Sequence, residues 1–150
     1  MRLRRLQLRK NDRGTVALEF ALIVPVFLLL VYGGLSFGLA MAAKGVMTES
    51  AAEGARAAVG AAPDASGNQC FGYQNTAKAA AQNAIKSMSQ NSFAQITATA
   101  VPCNASYTAG VTVTVAVSFP YSAHPSIPNA PGLGLVMPSS LNVQYSVGVS

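Results

Sequence analysis

Residues 20–43 read FALIVPVFLLLVYGGLSFGLAMAA, 24 residues without one charged side chain. As an α-helix the stretch extends about 36 Å, against a bilayer hydrocarbon core of about 30 Å. A helix buried in a small soluble domain keeps a polar face, and this run has none. The sequence therefore predicts a membrane-spanning helix. Pro25 lies inside it and removes one intrahelical hydrogen bond, to the carbonyl of Ala21, which membrane helices tolerate. Gly34, Gly38 and Ala42 fall at i, i+4 and i+8 on one face. Small residues at that spacing let two helices pack closely in lipid, although glycine is also simply more frequent in membrane helices.

On the N-terminal side, Arg2, Arg4, Arg5, Arg9, Lys10 and Arg13 stand against Asp12, so residues 1–13 carry the whole formal charge of +5. In the remaining 137 residues Lys44, Arg56, Lys78 and Lys86 balance Glu19, Glu49, Glu53 and Asp64. A basic cluster before the span, with nothing comparable after it, keeps the N-terminus cytoplasmic and sends residues 44–150 across. The neutral body speaks against nucleic acid as a partner. Charged residues make up 10% of the chain and hydrophobic ones 51%, a balance that excludes a disordered chain. With His124 as the only histidine and four acids in the body, few acid–base constellations can be built, so no catalytic residue, metal site or cofactor is assigned. Ala40-Met41-Ala42 fits a small-x-small cleavage site, which would release a secreted soluble domain beginning near Ala43. The apolar run is much longer than the roughly 7–15 residues of a secretory signal.

One acid interrupts the apolar entry. In RGTVALEF, residues 13–20, Glu19 sits one turn inside the hydrophobic segment. A carboxylate there either marks a functional position in lipid or caps the positive end of the helix dipole, worth under about 1 kcal/mol. Gly14-Thr15-Val16-Ala17-Leu18-Glu19-Phe20 resembles the processing site of type IV prepilins. In that family a membrane peptidase cuts after a glycine, and the mature chain carries glutamate at its fifth position. A cut after Gly14 makes Thr15 the first residue and Glu19 the fifth. Phe20, directly after the glutamate, resembles the Flp, or tight-adherence (type IVc), branch.

The longer stretch RGTVALEFALIVPVFLLLVYGGLSFG, followed by AAEGARAA at residues 51–58, is similar to the TadE-like (TadE/TadG) proteins, the minor pilins or pseudopilins of tight-adherence pili. The resemblance is specific over residues 13–60 and loose over 111–150, while 61–110 carries no motif of the family. It implies residues 1–14 as a leader removed by a prepilin peptidase, and a single-pass protein of the bacterial inner membrane. The outer domain would be periplasmic or pilus-associated. The implied partners are that peptidase, other pilin and pseudopilin subunits, the inner-membrane assembly platform and the lipid bilayer. Glu19, with Phe20 beside it, would guide subunit assembly. An uncleaved bitopic anchor with a ligand- or surface-binding outer domain stands as the alternative.

After the span (residues 15–43), residues 44–60 read as a helical stem, with Glu53 and Arg56 at i, i+3 and a run of alanines, ended by Gly60 and Pro63. Residues 61–75 read as a loop, and a second helix follows, with Asn75 as its N-cap and Ala77, Ala80, Ala81, Ala84, Ile85 and Met88 on one stripe. The period then changes to two: Val111, Val113, Val115, Val117, Phe119 and Tyr121 form one alternating set, and Leu141 to Val149 a second. Ile96–Val101 is a weaker strand, and Pro120–Pro138 an irregular connection. The predicted fold is α+β and pilin-like: a long membrane helix extended into the stem, a second helix, and an antiparallel sheet of three to four strands within residues 61–150. Cys70 and Cys103, both on the exported side, are expected to pair, closing a loop worth about 4 kcal/mol at most. His124 is expected to be a solvated loop residue.

Overall fold

A computed structural model of the chain describes residues 12–88, 91–102, 110–124 and 138–149. The chain divides into two compact units, Met1–Leu35 and Ser36–Ser150. Helix α1, Asp12–Ala58, belongs to both. In the first unit it exposes apolar side chains all round, Leu18, Phe20, Leu22, Val26, Leu29 and Leu30 among them. Among the described residues this is the one helix long and apolar enough to cross a membrane, and its most apolar window has no buried residue. An all-round apolar helix without a protein cover matches lipid rather than water as its solvent.

In the second unit α1 becomes one-sided. Ser36, Ala40, Met47, Ser50, Ala51, Ala55 and Ala58 are buried, a stripe at helical spacing. Ser50 is satisfied within the helix, its hydroxyl donating to the Met47 carbonyl at 3.0 Å. The stripe faces helix α2, Gln69–Ala84, and the sheet. A Cβ on Gly54 would stand 2.6 Å from the Ala77 carbonyl oxygen, so glycine there sets how close α2 can lie.

Helix α2 starts earlier than the sequence predicts. Its N-cap is Asn68, not Asn75: the Asn68 side-chain oxygen accepts the Phe71 N–H at 3.3 Å. The residues that read as loop are what organise the helix start. Asp64 Oδ1 accepts the Ser66 hydroxyl at 2.6 Å and the backbone N–H groups of Ser66 and Asn68 at 2.9 and 2.8 Å. Gly67 turns the chain in the left-handed region, φ +81°. The predicted apolar stripe holds: Ala77, Ala81, Ile85 and Met88 are buried, the last two on and after a 3-10 turn, Ile85–Ser87.

The sheet has three described strands, β1 (Gln95–Val101), β2 (Val111–Phe119) and β3 (Leu141–Val149), antiparallel in the order β1-β2-β3. Alternation places Val111, Val113, Val115, Val117 and Phe119 in the core, where each is almost wholly buried. The opposite face is polar and uncharged. Thr99, Thr114 and Ser146 lie side by side across it, with Thr114 Oγ1 and Ser146 Oγ 2.8 Å apart. Residues 87–150 contain no Asp, Glu, Lys or Arg at all.

His124 departs from expectation. It is half-buried rather than solvated, and its ring stacks on Phe93 with centroids 3.5 Å apart and planes 11° off parallel. Phe93 ends a second 3-10 turn, Asn91–Phe93, so the contact ties the entry of β1 to the exit of β2.

Candidate functional site

The residues singled out by the resemblance lie along α1. Gly14, Thr15, Glu19 and Phe20 are all helical and exposed, and a Cβ on Gly14 would meet nothing within 4 Å. Thr15 and Glu19 are i, i+4 neighbours, one above the other on a single face with a rise of about 6 Å. Among the described residues no side chain pairs with Glu19.

Gly34, Gly38 and Ala42 are exposed as well, with nothing within 4 Å of a Cβ at either glycine. At about 100° per residue, their face lies opposite the one that buries Ser36, Ala40, Ala43 and Met47. The helix thus presents two small-residue faces near the start of the second unit. One is filled by the chain's own core, and the other is clear.

Cys70 is buried on α2, and no described cysteine is free. Cys103 lies outside the described residues. No group of three His, Cys, Asp or Glu among the described residues is arranged to hold a metal ion. The predicted Glu53–Arg56 pair is formed, at 3.4 Å and with both side chains exposed, where such pairs contribute little.

Two residues on which the close packing depends escape sequence reading. Gly54 sits in the AAEGARAA stretch, and besides the Ala77 oxygen its Cβ would stand 2.9 Å from Ala81 Cβ and 3.4 Å from Val115 Cγ1. Gly72 reads as a loop glycine, but it is buried on α2, where a Cβ would collide with the Ala62 backbone. The mostly alanine stripe facing Gly54 is the available signal, since side chains that small require a close partner.

The TadE-like protein family matches residues 14–56. Comparison with curated proteins and with solved structures gave no match. The matched segment begins at Gly14, contains Glu19 and Phe20, and closes on Arg56 of the AAEGARAA stretch. Over these residues, which make up most of α1, the chain is similar to the TadE-like proteins.

Proposed function

We propose that this chain is a minor pilin-like membrane protein, a pseudopilin, needed for assembly of tight-adherence type pili. The observation that carries the reading is that the TadE-like match starts on Gly14 and sets Glu19 five residues after it, on an exposed apolar helix. A prepilin peptidase cuts after Gly14 and removes the basic leader, leaving Thr15 as the first residue. The protein sits in the inner membrane as a single pass, with the second unit on the periplasmic side.

The role of Glu19 is electrostatic. Cleavage creates an α-amino group on Thr15 at the membrane edge. An unpaired charge drawn into lipid is costly, and the cost rises with depth toward about 3 kcal/mol at the centre of a membrane helix on insertion scales. The Glu19 carboxylate of a neighbouring subunit neutralises that ammonium, and the pair sets the register between adjacent helices. The clear face at Gly34, Gly38 and Ala42 supplies close helix packing within the same assembly. Cys70 and Cys103 form a disulfide that strengthens the small outer unit. The partners are the peptidase, other pilin and pseudopilin subunits and the assembly platform; the reading requires no catalysis by the chain itself.

Glu19→Gln keeps size and hydrogen bonding but removes the charge. The expected result is normal membrane insertion with loss of co-purification with the pilus machinery. Unchanged co-purification would remove Glu19 from the recruitment role.

A further inference from the structure

We infer that the end of the second unit formed by Phe93, Pro120–His124 and the start of β3 is a lipid-contacting base, seated on the headgroup region of the bilayer. The inference rests on the membrane reading above and extends it from the helix to the folded unit.

Gly72 lies against Ala62 and Pro63, and Gly54 against Ala77 and Ala81, so α2 runs back along α1. At 1.5 Å per residue its end, Ile85–Met88, comes to about the level of Met47. Strand β1 leaves from there, and its first residue, Gln95, pairs with Ser118 at the end of β2. Val115 lies beside Gly54, and at about 3.3 Å per residue the exit of β2 is some 13–20 Å further toward residues 40–45. The Phe93–His124 stack, Tyr121 and Leu141 therefore belong to the end of the unit where α1 enters it.

Ser36 and Ala40 are buried in the unit, with Ala43 packed against its core, yet all three lie inside the uncharged run of residues 20–43. No polar spacer separates the apolar run from the fold. At the same height α1 still exposes Phe37, Leu39 and Met41. The uncharged run, residues 20–43, extends about 36 Å as a helix against a hydrocarbon core of about 30 Å, so its last residues, which belong to the second unit, fall at the interface. Residues 36–43 thus belong both to the apolar run and to the folded unit.

Residues 91–94, 120–124 and 138–140 contain no acid and no formal charge, and Phe93 is 43% exposed. Lys44 and Lys86, both exposed, flank this end, and the acids Glu49, Glu53 and Asp64 all come later along α1 or beyond it. One exposed aromatic ring at the rim, lysines on long side chains beside it and no acid form the pattern that favours an anionic lipid interface.

The chain has no tryptophan, so single-tryptophan variants report their surroundings cleanly. The full chain is reconstituted in vesicles of phosphatidylethanolamine and phosphatidylglycerol containing lipids brominated at the top of the acyl chains. Leu28→Trp marks the membrane helix, Phe93→Trp and Ala123→Trp mark the base, and Phe71→Trp marks the far end of α2. The expected result is loss of emission at positions 28, 93 and 123 and full emission at 71. Ala123 is exposed, so its variant decides the matter if Phe93→Trp disturbs the His124 stack. Loss at 28 with full emission at 93 and 123 overturns the lipid-contacting base and leaves the membrane reading intact. Full emission at 28 overturns the membrane reading and this inference with it. Equal loss at 71 and 93 overturns the seating at one end.

Discussion

Gly54→Ala adds a single methyl group between α1 and α2, and the structure sets its cost. The new Cβ would stand 2.6 Å from the Ala77 carbonyl oxygen and 2.9 Å from Ala81 Cβ, both inside the separations real side chains adopt. The oxygen belongs to the α2 backbone, so relief requires the whole helix to move, and α2 is held by the burial of Tyr73, Ala81 and Ile85. Overpacking of this kind costs about 1–3 kcal/mol. Alanine is also a better helix former than glycine by about 1 kcal/mol, which acts in the opposite direction. Gly45 on the same helix isolates that second effect, because a Cβ there meets nothing within 4 Å. The difference between Gly54→Ala and Gly45→Ala is therefore the overpacking alone. In thermal unfolding of the full chain in detergent, followed by the near-ultraviolet circular dichroism of its tyrosines, Gly54→Ala should melt about 4–12 °C below Gly45→Ala. Equal midpoints would refute close helix packing at Gly54.

Gly72→Ala should be at least as damaging by the same assay, because its Cβ runs into the fixed backbone of Ala62 and Pro63; a midpoint equal to that of Gly45→Ala would count against the described loop path. Cys70→Ser should lower stability by up to about 4 kcal/mol and leave Cys103 reactive toward a maleimide, whereas the unsubstituted chain should label at neither cysteine without reductant. Asp64 should titrate below the ordinary carboxylate value, lowered first by the Ser66 hydroxyl and next by the Asn68 N–H. A depressed carboxylate stabilises the fold above that ordinary value and stops doing so as pH falls through its folded midpoint. Carbon-detected NMR titration should show the low midpoint, and it should return toward the ordinary value in Ser66→Ala.

The elements with a strong period were legible before any coordinates. The uncharged run, the alternation of Val111–Phe119 and that of Leu141–Val149 each satisfy one geometric template over many residues, and each became the expected element. The start of α2 was not legible, because Asp64, Ser66, Gly67 and Asn68 have the composition of a loop whether or not they cap a helix. Gly72 misled for a related reason: the property that makes glycine common in loops also admits the Ala62 backbone. The His124–Phe93 stack joins residues 31 apart in sequence, and no local pattern encodes it. Composition likewise could not distinguish apolar residues left uncovered by the chain from those facing its own core. Ser36, Ala40 and Ala43 sit in the same uncharged run as Leu28 and Leu30, and only packing separates them. The candidate assembly residues stand out in the sequence because their signal is local: Gly14, Thr15, Glu19 and Phe20 all lie at the start of the TadE-like match.

The pseudopilin account stands or falls on the first residue of the mature chain. Protein extracted from membranes of cells that carry the pilus machinery should be read by intact-mass and N-terminal peptide mass spectrometry. The account predicts a chain beginning at Thr15, with the charge of residues 1–13 removed and the remaining side chains summing to zero. A chain beginning at Met1 would mean an uncleaved anchor, and one beginning near Ala43 a secreted domain. Either result would contradict the account.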